Sequence, residues 1–359
     1  MKTSKSSFTW RKVTENKLFF PLVALAFILL LDLIFIPGFF KIGTRGGNLY
    51  GSLIDVLRNG SYVMLLAIGM TLVIATGGVD LSVGAVMAIA ASVAAIMINP
   101  TIIGVKLPPD VMKLVFDPNF TYAPLWEVIL VTLSVSMVCG LWNGILVAYG
   151  RIQPMVATLI LMIAGRGIAQ LITHSLRIQI FYAPYAFIGK GWLILPFSLY
   201  IVAFVYALAW LLTRKTSIGL FIESVGINFR ASFYSGIDEK KVKLLAYVFC
   251  GLCAGIAGLV ASSNIQTSDA NQIGLNYELD AILAVVIGGT ALGLGGRFSL
   301  LASIIGALVM QATTTSMYAI GVPASAVIAV KALVVIFVIL LYSKQVQSFV
   351  RKITRQKEA

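Results

Sequence analysis

Few residues in this chain are chemically equipped, and the first to weigh are Cys250 and Cys253. Their C-x-x-C spacing is one that ligates metals or cycles a disulfide. They sit, however, in CGLCAGIAG, a run of small residues with Gly251 and Gly255 four apart. That spacing lets helices approach closely in lipid, so packing is the favoured reading. His174 is the only histidine, and one imidazole does not make a metal site. The sole Gly-Lys pair, Gly189–Lys190, runs into another glycine instead of a Ser or Thr, so the phosphate-binding loop motif is missing. Gly293, Gly295 and Gly296 lack the spacing of a dinucleotide fingerprint. With no order of Ser, His and Asp for nucleophilic catalysis, the sequence predicts no catalytic residue, no metal site and no cofactor on this chain. What remains is IATGGVDLSVGAV, residues 74–86, where Gly77 and Gly78 precede Asp80 and Ser82 inside an otherwise apolar stretch.

The elements around that stretch are those of a membrane protein. Of the 359 residues, 59% are hydrophobic and 11% charged, with a mean hydropathy of +0.96. Soluble domains run near a quarter charged. Ten mostly apolar segments stand out: Leu18–Ile36, Tyr62–Thr76, Val83–Ile98, Val128–Ala148, Met155–Thr173, Leu193–Leu212, Leu244–Ala261, Ala281–Leu294, Phe298–Met317 and Ala326–Tyr342. Most approach the roughly 20 residues a spanning helix needs. The fold class expected is an all-α polytopic membrane protein of about ten transmembrane helices, with broken or re-entrant glycine-rich segments. The first segment is too long for the apolar region of a signal peptide and lacks an A-x-A cleavage site, so it reads as an uncleaved helix.

Cations set the orientation. Lys2, Lys5, Arg11, Lys12 and Lys17 precede the first segment, and Lys344, Arg351, Lys352, Arg355 and Lys357 follow the last. Arg214, Lys215, Arg230, Lys240, Lys241 and Lys243 fill the long loop after the sixth. The positive-inside rule makes all three cytoplasmic. The chain divides into a cytoplasmic tail at 1–17, a transmembrane domain at 18–343 with a cytoplasmic loop at 213–243, and a second cytoplasmic tail at 344–359. The net charge of +13 reads as topology and contact with anionic lipid, not as a nucleic-acid surface. Within the loop, Ile218, Ile222, Val225 and Phe229 recur at spacings of four, three and four, one face of an amphipathic helix. Such a helix either lies on the bilayer as a connector or is presented to a cytoplasmic partner.

Five blocks carry a family resemblance. IATGGVDLSVGAVMAIAA, GLWNGILVA at 140–148, QPMVATLILMIAGRG at 153–167, IESVGINFRASFYSGI at 222–237 and ELDAILAVVIGGTALGLGGR at 278–297 resemble, in order, the membrane subunits of bacterial ABC sugar importers. The class is that of ribose and galactofuranose, and the wording of the first three blocks is closest to galactofuranose permeases. Ser224 and Ser232 stand where the family commonly has alanine, and the insert at 104–124 is longer than usual. The resemblance implies a multi-pass protein of the bacterial inner membrane that moves a monosaccharide, galactofuranose before ribose, xylose, galactose or fructose. It also implies partners: a second permease copy or homologue, a cytoplasmic ATPase that holds ATP and Mg, and a periplasmic sugar-binding protein. The loop then becomes the coupling helix to the ATPase, carried by Gly219, Glu223, Gly226, Asn228, Arg230, Ser235 and Gly236. Gly226 is expected to let the ATPase approach, so that Gly226→Arg uncouples a still folded permease.

The resemblance leaves Asp80 to be read physically. Gly77 and Gly78 let one helix end, and Asp80 begins the next, where a carboxylate caps free N–H groups and suits the helix dipole. Direct contact with substrate is the alternative, and the two are compatible because broken helices line cavities in transporters. Gly288 and Gly289, in VVIGGT, make a second break with a faint likeness to VIATGG. The candidate pathway residues are therefore Gly77, Gly78, Asp80, Ser82, Asn143, Gly288 and Gly289. Asp32, Arg166, Gln170 and Gln311 are further polar groups within spans, and Asp32 is discounted as able to reach the interface. Two rival classes stay open. An ion-coupled secondary transporter would lean on Asp80 as its membrane carboxylate, and a membrane enzyme would need a converging set of catalytic groups that the sequence lacks.

Overall fold

Small residues decide where the helices of this protein cross. In the computed structural model, which describes residues 18–45, 48–99, 121–292 and 295–342, thirteen helices are joined by short turns and two small ladders. Six of them are long and apolar enough to cross a membrane. These are α2 (Ser52–Ala75), α4 (Leu125–Ala148), α5 (Pro154–Ile172), α7 (Phe197–Arg214), α10 (Glu239–Ile265) and α12 (Leu300–Ala319). The central stretches of α2, α10 and α12 are 78%, 72% and 61% buried, against 33% or less for α4, α5 and α7. The first three therefore form the centre and the others present apolar faces outward.

Close crossings hold the centre. A Cβ on Gly69 of α2 would meet Cys250 Cα of α10 at 2.9 Å, and one on Gly251 would meet Gly140 Cα of α4 at 2.9 Å. Cys250 and Cys253 are buried free thiols in this crossing, as small packing residues are expected to be. Shorter helices complete the bundle: α1 (Phe19–Phe35), α3 (Val83–Ile98), α11 (Tyr277–Ile287) and α13 (Ala324–Tyr342). Outside it lie α6 (Ala183–Lys190), α8 (Ile218–Ile227) and α9 (Phe229–Tyr234). Strands β1 (Gly43–Arg45) and β2 (Asn48–Tyr50) form one antiparallel hairpin. Strands β3 (Ile178–Gln179) and β4 (Thr267–Ser268) form an antiparallel ladder at the end of the bundle opposite α8 and α9.

Each of the ten apolar segments overlaps a helix, but several boundaries differ from expectation: α10 runs from Glu239 to Ile265, beyond Leu244–Ala261 at both ends, and α2 and α11 are shifted most. Helix α2 begins at Ser52, ten residues before Tyr62, because its polar first turns are answered locally. Arg58 pairs with Asp55 at 3.0 Å, the Ser61 hydroxyl donates to the Arg58 carbonyl at 2.6 Å, and Asn264 of α10 donates to Asn59 at 3.0 Å. Helix α11 covers only 277–287, so Glu278 and Asp280 belong to it. The amphipathic loop helix breaks at Asn228, whose side chain caps α9 by accepting from Ala231 N–H at 3.1 Å. Asp238 caps α10, accepting from the N–H groups of Lys240 and Lys241, and the Lys241 N–H is the main cause holding its carboxyl below the ordinary range. The expected cytoplasmic tails and most of the 104–124 insert lie outside the described residues.

Candidate functional site

The break after α2 is closed by backbone geometry and then clamped by side chains. Gly77 takes φ +84°, Gly78 N–H donates to the Val73 carbonyl at 3.1 Å and Gly77 N–H to Ile74 at 2.9 Å. This is a Schellman cap, which requires a left-handed residue at its turn. Gly78 serves a different need, since a Cβ there would meet the Tyr247 hydroxyl at 2.6 Å. Helix α11 ends with the same device. Gly289 takes φ +80°, with Thr290 N–H on Val285 at 3.3 Å and Gly289 N–H on Val286 at 2.9 Å. The likeness of VIATGG to VVIGGT is thus a likeness of caps. The two ends meet through α12, where the Ser303 hydroxyl lies 2.8 Å from that of Thr71 and Ser303 N sits 2.7 Å from where a Gly288 Cβ would be.

Between α2 and α3 the chain carries a buried polar knot. Asp80 is 1% exposed. Its Oδ1 accepts from Ser82 N–H at 2.9 Å, Ser82 Oγ at 2.7 Å and Asn143 Nδ2 at 3.3 Å. Asn143 Nδ2 also donates to Ser82 Oγ at 2.7 Å, and the Cys250 thiol meets the same carboxylate. Ser82, not Asp80, occupies the cap position of α3. Asp80 reaches the helix start indirectly, by holding the Ser82 N–H two residues on. Val79 and Leu81 are tied to neighbours as well, through the Tyr247 hydroxyl on the Val79 carbonyl at 3.3 Å and Leu81 N–H on Thr158 Oγ1 at 3.1 Å. Asn143 Oδ1 has no partner among the described residues. The break is therefore buried in protein, the condition under which non-helical backbone survives in a bilayer.

A cavity of ≈ 600 Å³ opens beside it, lined among others by Gly77, Gly78, Arg151, Gln153, Phe229 and Lys243. Helix α8 roofs this end. Ile222 and Val225 are buried and Ile218 is half-buried, whereas Phe229 is exposed beyond the break at Asn228. Gly219 and Gly226 do not face outward for a partner, as expected from sequence. A Cβ on Gly219 would overlap the Thr213 carbonyl, and one on Gly226 would overlap the Ala75 carbonyl and Gly296 N–H. Gly296 N–H donates to that Ala75 carbonyl at 2.8 Å. These glycines seat α8 on its own bundle. Glu223 is half-buried, while Asn228, Arg230, Ser235 and Gly236 are exposed. The outward face is mostly apolar and aromatic: Leu220, Ile227, Phe233 and Tyr234.

Other polar residues find internal partners. Asp32 is not snorkelling; it is 3% exposed and meets Ser316 of α12. Arg166 Nη1 donates to the carbonyls of Ala270 at 3.2 Å and Ile273 at 2.5 Å, Gln170 donates to Asn271 at 2.7 Å, and Gln311 to Thr315 at 3.3 Å. Sequence reasoning missed an ion pair, Lys331 of α13 with Asp280 of α11, at 2.6 Å. A lone lysine in the apolar run AVIAVKALVV was the signal, since a cation there demands a partner. Buried Glu278 lies nearby, with Oε2 lacking a partner among the described residues.

Apolar helices wrapped around buried, broken backbone, with a cavity at the break, define a multi-pass membrane transport protein. The chain belongs to the family described as branched-chain amino acid transport system / permease component, whose model matches residues 52–342. It is 47% identical to the galactofuranose transporter permease YtfT of Escherichia coli K12, over 97% of this chain and 95% of that one. It is 34% identical to the fructose import permease FruF of Bifidobacterium longum, over 97% and 93%. Identity to the ribose import permease RbsC of E. coli K12 is 31%, over 94% and 96%. No solved structure matches the chain.

Proposed function

We propose that this protein is the membrane permease of an ATP-driven ABC importer and that galactofuranose is its sugar. The observation that carries the sugar is the 47% identity with a galactofuranose permease along nearly the full length of both chains. The relatives named for fructose and ribose share less, at 34% and 31%. Although the family name refers to branched-chain amino acids, these relatives are named for sugars. The ten helical segments are read as ten spans of a bacterial inner-membrane protein, with both termini and the α8–α9 loop in the cytoplasm. Two permease subunits would form the pathway. ATP and Mg belong to a separate ATPase, and a periplasmic binding protein delivers the sugar.

The loop geometry supports a revised coupling surface. Ile222, Val225, Gly219 and Gly226 fasten α8 to the bundle, leaving Leu220, Ile227, Arg230, Phe233 and Tyr234 outward. Exposed aromatic and apolar anchors beside an Arg are the composition of a binding hot spot. The test is uptake of labelled sugars into proteoliposomes holding the permease, its ATPase and its binding protein. ATP-dependent uptake of galactofuranose above that of ribose, fructose and xylose is expected. Uptake that persists without ATP but follows a proton gradient would overturn the ATP-driven reading in favour of ion coupling through Asp80.

A further inference from the structure

From Gly191 to Thr213 the chain carries no charged residue, yet α7 begins only at Phe197. Its 18 residues rise about 27 Å, short of the ~30 Å of a hydrocarbon core, and any tilt widens the shortfall. With Arg214 and Lys215 at one membrane boundary, the other end of α7 stops inside the apolar layer, and residues 191–196 complete the crossing. They do so as a closed finger. Trp192 and Pro196 pair as an antiparallel bridge, Phe197 N–H donates to the Gly191 carbonyl at 2.8 Å, and Leu193 N–H donates to the Leu195 carbonyl at 3.2 Å. At the tip, Leu193, Ile194 and Leu195 are 58%, 82% and 41% exposed. Helix α6 holds the finger from behind. The Tyr185 hydroxyl lies 2.6 Å from that of Ser262 in α10, and Lys190 donates to Gln266 at 2.6 Å. These contacts fix the base of the finger at the end of α10 opposite α8 and α9. Rings then lead from it onto α7. Phe187 lies 4.9 Å from Phe197, which lies 6.4 Å from Tyr200. Tyr200 opens the outward stripe of α7, where Phe204, Leu208 and Leu211 are exposed as well.

We propose that the Leu193–Leu195 tip is a lipid anchor, seated among acyl chains just beneath the headgroups of the leaflet opposite Arg214 and Lys215. Lipid is the occupant because the tip continues the outward apolar stripe of α7 and carries three large apolar side chains with no polar one among them. Trp192 at its base and Tyr200 below it are the residue types that collect at a membrane boundary. A soluble partner's contact carries a polar rim, and the tip offers none. The backbone sets the depth. The N–H groups of Ile194 and Leu195 make no hydrogen bond among the described residues. The hydrocarbon centre does not tolerate such groups, whereas the boundary, where apolar side chains sink about 5–10 Å, does. The anchor goes beyond the transport reading; only the naming of its leaflet as periplasmic rests on the orientation proposed above.

The experiment uses the complete transporter in proteoliposomes, in a Cys139→Ala background that still transports and keeps the buried Cys250 and Cys253. Ile194→Cys, and separately Phe204→Cys in the middle of α7, are labelled with an environment-sensitive fluorophore. The Ile194 label should show blue-shifted emission and be quenched more by lipids spin-labelled near the headgroup than by lipids spin-labelled near the chain end. Soluble iodide should quench it weakly, and adding the binding protein should leave its spectrum unchanged. The Phe204 label should show the reverse order of depth. Strong quenching by iodide that the binding protein relieves would overturn the anchor and make the tip a protein-docking surface. Strong quenching by iodide that the binding protein leaves unchanged would overturn it as well, with the tip in water. If lipid quenchers reach neither label, α7 does not span and the anchor falls together with the membrane reading; failure at Ile194 alone removes only the anchor.

Discussion

Asp80 shows how far one residue type carries and where it stops. An aspartate after two glycines, with a serine two residues on, announces a helix start, and the structure puts that carboxylate on Ser82, the residue just before α3, instead of on the first turn itself. Sequence does not reveal that the cap position is Ser82 or that Asn143, 63 residues away, shares the same acceptor, because that meeting depends on how α4 crosses α10. Asp80→Asn keeps the Oδ1 acceptor and is expected to keep most folded protein and uptake. Asp80→Ala strands the Ser82 and Asn143 donors in a buried site, a loss of about 1–3 kcal/mol. Thermal stability of the detergent-purified protein, measured with uptake, checks both. An Asn variant that is well folded but transports nothing would mean that the charge itself is required.

At the scale of elements, the ten apolar runs were legible because each is long or strongly apolar, and α3 was placed to the residue. The start of α2 and the whole of α11 were displaced, since polar residues that satisfy one another inside a bundle look like loop in a sequence. The loop helix was legible as amphipathic, but not in its sidedness: small residues that thin a helix serve its own bundle as readily as a partner. Gly226 makes the difference measurable. With Ala75 and Gly296 backbone where its side chain would be, Gly226→Arg is expected to reduce the amount of folded permease instead of leaving it folded and uncoupled. Leu220→Asp and Tyr234→Ala change exposed positions and should move stability by less than about 0.5 kcal/mol. They are expected to lower co-purification of the ATPase. Full co-purification with both variants would take the partner off this face.

Across the whole molecule, the feature least visible in the sequence is the tie between Lys331 and Asp280, 51 residues apart. Removing one member of a buried pair leaves an uncompensated charge, with losses of about 3–5 kcal/mol, while removing both is often neutral. Lys331→Met and Asp280→Asn are each expected to lower folded protein, and the double variant to recover it, as read by size-exclusion yield in detergent. Additive losses in the double variant would show that the two side chains do not act as a pair. The same tie has a consequence for how the chain is made. Asp280 leaves the ribosome well before the lysine that neutralises it, and α11 is too short to enter lipid unaided. The nascent protein therefore has to shelter α11 against α2 and α12 while synthesis continues. The bundle closes only when α13 arrives, and a ribosome that stops short of Lys331 leaves behind a half-built protein with a carboxylate the membrane rejects, a mark by which quality control can recognise it.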